Sequence, residues 1–163
     1  IEIESELGKG CAFNFTIKFK NRCNNEYLLQ NSSNNQNELE PINVLLIEDN
    51  KINQLVTKKS LLKLNCNVEI VEKGSDALRL ITQNAFDLII TDINLPDISG
   101  FEITKKIRDN NIKTPVFAVT AYSHDEIKLQ AIESGINEIF VKPFKSEELS
   151  AKIREYIYDN NDN

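Results

Sequence analysis

The stretch DLIITDINLPDISG, residues 87–100, decides the fold of this chain. It opens with DLIIT, whose apolar side chains are continuous rather than alternating with polar ones, as is typical of a strand buried on both faces of a sheet. The run leads into Asp92, and Pro96 and Gly100 then predict a loop rather than an immediate helix. The stretch therefore predicts a buried parallel strand that ends in a carboxylate.

Four further apolar runs surround this one, and each is followed by a stretch that could be helical: VLLI at 44–47, VEIV at 68–71, VFAVT at 116–120 and EIFV at 138–141. This alternation predicts a parallel sheet with helices on both faces. Apolar spacing of three to four residues is clearest in two of the helical stretches, at Ile52, Leu55, Val56 and Leu62 and at Leu149, Ile153, Tyr156 and Ile157. We predict one α/β domain, a doubly wound parallel five-stranded sheet with strand order 2-1-3-4-5.

Carboxylates follow two of these strands, with Glu48 and Asp49 after the first and Asp92 after the third. Open α/β sheets bind ligands beyond the carboxyl ends of their strands where the strand order reverses, here between the first and third strands. Three carboxylates gathered there would repel one another, so the arrangement favours a cation between them. The sequence predicts a magnesium-assisted phosphoryl site.

A simpler interpretation treats these acidic residues as helix caps. Asp49 or Asn50 could cap the helix that contains Ile52 and do nothing more. Glu48 is harder to explain in this way, because a second adjacent carboxylate adds repulsion without adding a cap. Asp92 precedes a loop rather than a helix, and we therefore favour the functional interpretation.

The fourth and fifth strands end in Thr120 and Lys142, on the adjoining rim of the sheet. Thr120 could be an ordinary strand residue, and Lys142 could be a surface charge. Pro143 restricts the backbone of Lys142 to extended geometry, which aims the lysine across the sheet end. The only histidine, His124, is interpreted as a solvated residue near a helix start, because no second catalytic group lies beside it in sequence.

Composition excludes some classes of function. The formal net charge is −6, which argues against nucleic-acid binding. The sequence contains no run of about 18 apolar residues, so a membrane-spanning segment is not expected. Cys11, Cys23 and Cys66 are odd in number and lack metal-ligand spacing, which predicts reduced thiols in a cytoplasmic protein. The chain begins at Ile1 and contains no Met, so we expect a fragment of a longer protein.

The N-terminal part has a different pattern. In residues 1–20 apolar and polar side chains alternate, which predicts an antiparallel hairpin with Gly8 and Gly10 in its loop. The hairpin is either a simple N-terminal addition or a pair of strands that packs on a part of the protein absent from this sequence. Asparagine-rich residues 21–41 predict a flexible linker, because they have little apolar surface to bury. Residues 42–158 form the predicted α/β domain, and residues 159–163 a disordered tail.

Residues 42–158 resemble the flavodoxin-like receiver domain of two-component signalling. The resemblance rests on separated motifs in the expected order: VLLIEDN with Glu48 and Asp49, LIITDINLPDISG with Asp92, AVTAY with Thr120, and IFVKPF with Lys142. The string EDNKINQLV looks like receivers fused to hybrid histidine kinases. Residues 1–20 are similar to the last two strands of the histidine-kinase ATPase domain, although Cys11 stands where that family usually has serine or threonine.

The resemblance implies roles for the site residues. Asp92 would accept a phosphoryl group from phosphohistidine, and Lys142 and the Thr120 hydroxyl would bind its oxygens. Mg²⁺ would be held directly by Asp49 and Asp92, by Glu48 largely through water, and by the backbone carbonyl of Asn94.

The resemblance also implies a switch. Phosphorylation would draw Thr120 inward and let Phe140 rotate from an exposed to a buried position; the open alternative is that Phe140 is ordinary strand core. Asn94 and Tyr122 would tune the phosphate lifetime, and the bond between Lys142 and Pro143 would be cis.

The partners implied are a histidine-kinase phosphodonor domain or a histidine phosphotransfer domain, and a receiver homodimer through the fourth and fifth helices. No nucleic acid and no membrane contact is expected in this fragment. The fragment would be a phosphoacceptor with slow self-dephosphorylation rather than an independent catalyst, in a parent histidine kinase.

Three alternatives stay open. The first is a stand-alone response regulator. The second is a metal-dependent aspartyl-nucleophile phosphohydrolase, which usually needs a second Asp where this chain has Asn94. The third is a docking module that resembles a receiver but is never phosphorylated.

Overall fold

The computed structural model describes residues 2–6, 10–14, 41–121 and 125–158. The chain divides into two compact units, residues 1–37 and residues 38–163. In the first unit, β1 (Glu2–Glu6) pairs antiparallel with β2 (Gly10–Asn14), which confirms a hairpin. Gly10 is the first residue of β2 rather than a loop residue. The predicted linker, except its last residue, and the predicted tail lie outside the described residues.

In its described residues, the second unit alternates strands with helices: β3 (Asn43–Ile47), α1 (Lys51–Leu62), β4 (Asn67–Val71), α2 (Gly74–Gln83), β5 (Leu88–Asp92), α3 (Gly100–Asp109), β6 (Val116–Thr120), α4 (Asp125–Ser134), β7 (Glu138–Val141) and α5 (Ser146–Ile153), with a π-helical turn at Arg154–Tyr158. The strands form one parallel sheet in the order β4-β3-β5-β6-β7. Counted within this unit, that order is 2-1-3-4-5, and the predicted fold is confirmed.

Two apolar layers hold α1, α2, α3 and α5 against the sheet. One cluster joins alternate residues of the central strands to Leu61 of α1 and Leu149 of α5. The other joins the remaining alternate residues to Ala77 of α2 and Ile103 of α3. Every residue of β5 and β6 is buried, which explains their continuous apolar runs. No helix in the described part of the chain is long and apolar enough to cross a membrane.

Four of the five apolar residues of α1 do not face this core; the exception is Leu61. Ile52, Leu55, Val56 and Leu62 are 73%, 68%, 59% and 56% exposed, whereas Gln54, Thr57 and Leu61 are buried. The apolar spacing therefore correctly predicts a helix, but a polar-rich face packs inward. An apolar stripe is left on the surface, which we call the α1 stripe and define by those four exposed residues.

Gly100 lets α3 begin directly behind the end of β5. Its N–H donates to the carbonyl of Ile93 at 3.0 Å. A Cβ at this position would lie 2.6 Å from the carbonyl oxygen of Asp92, which is backbone and cannot simply rotate away. The close approach fixes where the chain turns after Asp92.

We expect Gly100→Ala to lower the free energy of unfolding by about 1–3 kcal/mol, because the added methyl group forces the backbone apart. Urea denaturation measures the change. Lys105→Ala, an exposed change in the same helix, serves as the control and is expected to stay within about 0.5 kcal/mol. A Gly100→Ala chain as stable as this control would show that the turn relaxes freely.

Candidate functional site

Three carboxylates converge at the carboxyl ends of two neighbouring strands. β3 leads into Glu48 and Asp49, and the adjacent parallel strand β5 ends in Asp92. One carboxylate oxygen from each residue lies within 4.8 Å of those from the other two. Glu48 and Asp92 are buried and Asp49 is exposed, so the cluster opens to solvent through Asp49.

Lys142, directly after β7, bridges the two buried carboxylates. Its Nζ donates to Oε2 of Glu48 at 2.6 Å and to Oδ2 of Asp92 at 2.7 Å. Burial lowers the pKa of Lys142, but the hydrogen bonds that it donates to Asp92 and Glu48, together with their negative charges, outweigh this effect, and the pKa is raised above its ordinary value. The ammonium group is therefore charged at neutral pH. The bond from Lys142 to Pro143 is cis, as expected.

The remaining residues of the rim surround Asp92. The backbone N–H of Asn94 donates to Oδ1 of Asp92 at 2.9 Å. The two carboxylate oxygens of Asp92 therefore have different partners, Asn94 at Oδ1 and Lys142 at Oδ2. Thr120 ends β6, is fully buried, and accepts the backbone N–H of Lys142 at 2.7 Å with its carbonyl. Tyr122 and His124 lie outside the described residues.

Residues 44–154 match the model of the response regulator receiver domain family. The chain belongs to this family. This match includes every residue of the cluster and the lysine that bridges it.

The relatives of this receiver include sensor kinases. It is 36% identical over 151 residues to the autoinducer 2 sensor kinase/phosphatase LuxQ of Vibrio vulnificus, covering 91% of this chain and 18% of that protein. It is 34% identical over 121 residues to the hybrid signal transduction histidine kinase L of Dictyostelium discoideum, covering 69% of this chain and 7% of that protein. The chain thus spans less than a fifth of the length of these relatives.

A solved structure resembles the receiver closely. The receiver domain of sensor histidine kinase PA1611 from Pseudomonas aeruginosa superposes with a TM-score of 0.67 at 32% identity, covering 72% of this chain and 98% of that one. That domain holds a magnesium ion in its active-site cleft.

Polar side chains from α1 hold Glu48 of this receiver in place. Nδ2 of Asn53 donates to Oε1 of Glu48 at 2.9 Å, and Nε2 of Gln54 donates to the Glu48 carbonyl at 2.6 Å. The sequence interpretation missed both residues. The sequence offered one signal for Gln54, which lies beside the apolar residues Leu55 and Val56. An amide side chain that is buried there needs a hydrogen-bond partner.

Asn50, and not Asp49, caps α1. Oδ1 of Asn50 accepts the N–H groups of Ile52 at 2.9 Å and Asn53 at 3.2 Å. The interpretation of Asp49 as a cap is therefore wrong, and its carboxylate faces the cluster instead.

Phe140 belongs to the apolar core of the receiver. It is 6% exposed, and its ring centroid lies 5.7 Å from that of Phe117 and 5.5 Å from that of Phe144. Its paired residue in β6 is Val119, whereas Thr120 pairs with Val141. Because side chains alternate along strands, Phe140 and Thr120 lie on opposite faces of the sheet. This geometry favours the core alternative over the switch, and on β7 the residues on the Thr120 face are Ile139 and Val141.

The donor set of this receiver fits a hard divalent cation. Such ions prefer oxygen ligands and tolerate several waters, and the cluster offers carboxylate oxygens with one exposed member. Asn94 lies on the same rim, within the loop that follows Asp92.

Proposed function

We propose that this receiver domain accepts a phosphoryl group from a phosphohistidine onto Asp92, with Mg²⁺ beside it. The observation that supports the proposal is the carboxylate cluster of Glu48, Asp49 and Asp92, bridged on one side by a charged lysine. A stand-alone response regulator would use the same chemistry.

The residues that would hold Mg²⁺ are Asp49 and Asp92 directly, Glu48 largely through water, and Asn94 by its carbonyl. The bound ion would neutralise carboxylate charge and bind a phosphoryl oxygen. Asp92 itself is held before a donor arrives, because the Asn94 N–H and the Lys142 ammonium bind its two oxygens. Such fixed geometry lowers the cost of reaching an in-line arrangement.

In the proposed transfer, one Asp92 oxygen forms a bond to phosphorus as the bond between phosphorus and the histidine nitrogen breaks. The electron pair of that bond stays on the imidazole, and an aspartyl phosphate is the product. The Lys142 ammonium and the Thr120 hydroxyl bind phosphoryl oxygens and offset the charge that spreads over them.

Incubation with Mg²⁺ and acetyl phosphate, followed by mass analysis, tests the function. We expect an adduct of about 80 Da, the mass of the added phosphoryl group. A chain that gains no mass would be a docking module only. Rapid turnover of generic phosphate monoesters would instead indicate a phosphohydrolase. Asn94 argues against that activity, because such enzymes usually have a second Asp at this position.

We further propose that the parent protein is a hybrid histidine kinase and that residues 1–20 are the end of its ATPase domain. The relatives named above support this, and the LuxQ match covers 91% of the chain, more than residues 44–154 alone. This chain acts as a phosphoacceptor and not as an independent catalyst.

The α1 stripe supports a protein donor with an apolar docking surface. It begins at Ile52, in the first turn of the helix that Asn50 caps beside the carboxylate cluster. A donor that brings its phosphohistidine to Asp92 must cover this end of the sheet and the neighbouring turns of α1. We therefore assign the stripe to a helical phosphodonor or phosphotransfer domain.

Leu55→Ala should slow transfer from a phosphorylated histidine phosphotransfer domain about tenfold, the cost of losing one well-buried apolar contact in an interface. The rate with acetyl phosphate should not change, because that donor touches no helix. Leu129→Ala on α4 is the matched control, since Leu129 is 62% exposed and Leu55 is 68% exposed. Equal transfer rates for the two variants would contradict the assignment.

A further inference from the structure

The loop between β5 and α3, residues 93–99, is tied to the start of α2. Oδ1 of Asp97 accepts the N–H of Gly74 at 2.9 Å, and Oδ2 accepts the N–H of Ser75 at 2.9 Å. The first N–H groups of a helix lack partners within the helix, and an acidic side chain commonly caps them. Lys73, at the N-cap position of α2, makes no such bond. Asp97 therefore caps α2 from a different loop.

The same junction is closely packed. A Cβ at Gly74 would lie 2.6 Å from Cδ1 of Ile103 and 3.2 Å from Cβ of Ile98, so α2 begins directly against the residue that follows Asp97. The pKa of the Asp97 carboxyl is held well below its usual range, chiefly by the hydrogen bond from the Ser75 backbone and also by that from Gly74. The carboxylate is thus charged at neutral pH, which strengthens both bonds.

This loop also carries residues of the site. The Asn94 N–H donates to Oδ1 of Asp92 at 2.9 Å, and the Gly100 N–H donates to the Ile93 carbonyl at 3.0 Å. The loop is therefore fastened to Asp92 near its start, closed at its base by Gly100, and fastened to α2 by Asp97. Of these three attachments, loss of the Asp97 contact leaves the two that lie at the ends of the loop.

We infer that Asp97 is a positioning residue, which holds residues 93–99 against α2 so that Asn94 keeps its place beside Asp92. The inference rests on the proposed function, because Asn94 is there assigned a share in holding Mg²⁺. Asp97 does not itself touch the carboxylate cluster in this assignment; it acts through the loop backbone.

Asp97→Asn tests the inference on the full chain. An amide presents one acceptor atom instead of two, so one of the N–H groups of Gly74 and Ser75 loses its partner. We expect the Mg²⁺ dissociation constant, measured by calorimetry with MgCl₂, to rise about tenfold, the lower end of the effect of groups that orient metal ligands. Without Mg²⁺, amide hydrogen exchange at Gly74, Ser75 and Asn94 should become faster.

Asp87→Asn is the matched control. Asp87 is also an exposed carboxylate, and its Oδ2 accepts a backbone N–H, that of Asn43, at 2.7 Å. This bond lies at the amino ends of β3 and β5, away from the cluster. The control should leave the Mg²⁺ dissociation constant within about twofold of the original and should not change exchange at Asn94.

A separate kinetic readout distinguishes positioning from general damage. At saturating Mg²⁺, the acetyl phosphate reaction of the Asp97→Asn chain should recover to within about twofold of the original rate, since only metal binding is weakened. Unchanged Mg²⁺ affinity in Asp97→Asn, or an equal loss in both variants, would overturn the inference and leave the proposed function standing. An original chain that neither binds Mg²⁺ nor gains a phosphoryl group would overturn both.

Discussion

Asp92→Asn is expected to abolish phosphoryl acceptance altogether. An amide lacks the carboxylate nucleophile, so no aspartyl phosphate can form, and the gain of about 80 Da seen with the original chain should disappear. The carboxylates of Glu48 and Asp49 remain nearby, within 4.8 Å of Asp92 in the original cluster, so the experiment also asks whether either can replace it. We expect that neither does, because only Asp92 is held by both Asn94 and Lys142.

The measurement is intact-protein mass analysis after incubation with acetyl phosphate and Mg²⁺. Asp87→Asn makes the same chemical change at the other end of β5 and should retain the adduct. An adduct that survives Asp92→Asn would contradict the assignment of the acceptor and would direct attention to Glu48 or Asp49.

Lys142→Met is expected to have the second largest effect, on both stability and reactivity. The side chains of Glu48 and Asp92 are 3% and 12% exposed, and the lysine is their shared counter-charge. Removing one partner from a buried ionic group typically costs about 3–5 kcal/mol, because the remaining charge has no compensation. We expect the free energy of unfolding to fall by about this amount in the absence of divalent cations, and Mg²⁺ to restore part of it.

The phosphorylation rate of the same variant should fall at least about 100-fold, the usual effect of removing one group that stabilises transition-state charge. Urea denaturation with and without Mg²⁺, together with the rate of adduct formation, measures both effects. Lys152→Met provides the control, since Lys152 also bridges two carboxylates, Glu138 at 2.9 Å and Glu155 at 3.0 Å, but on the surface. If Lys142→Met were as stable as this control and insensitive to Mg²⁺, the cluster would not depend on its lysine.

Much of the fold follows from the sequence because parallel strands buried on both faces leave an unmistakable pattern. The VLLI and VFAVT runs correspond to β3 and β6 with boundaries that differ by at most one residue. The carboxylate cluster follows in turn, since strand order alone brings the residues after β3 and β5 together.

Features that depend on orientation and on distant contacts are not visible in the sequence. Apolar spacing indicates that α1 is a helix but not which face packs inward, because a docking stripe and a core stripe have the same period. The position of Phe140 depends on the register of β7 with β6, which only the structure supplies. The bonds from Gly74 and Ser75 to Asp97 join segments more than twenty residues apart along the chain.

The bridge made by Lys142 links strands that are not neighbours. β7 lies at the edge of the sheet, and β6 separates it from β5 and β3, yet the ammonium group reaches across the end of β6 to both central carboxylates. Lys142 directly follows β7, so a ligand that moves this ammonium group away from Glu48 also pulls on the end of β7. We therefore expect the position of β7 to depend on the charge around Asp92. The surface beside this edge strand would then differ between the free and the phosphorylated receiver.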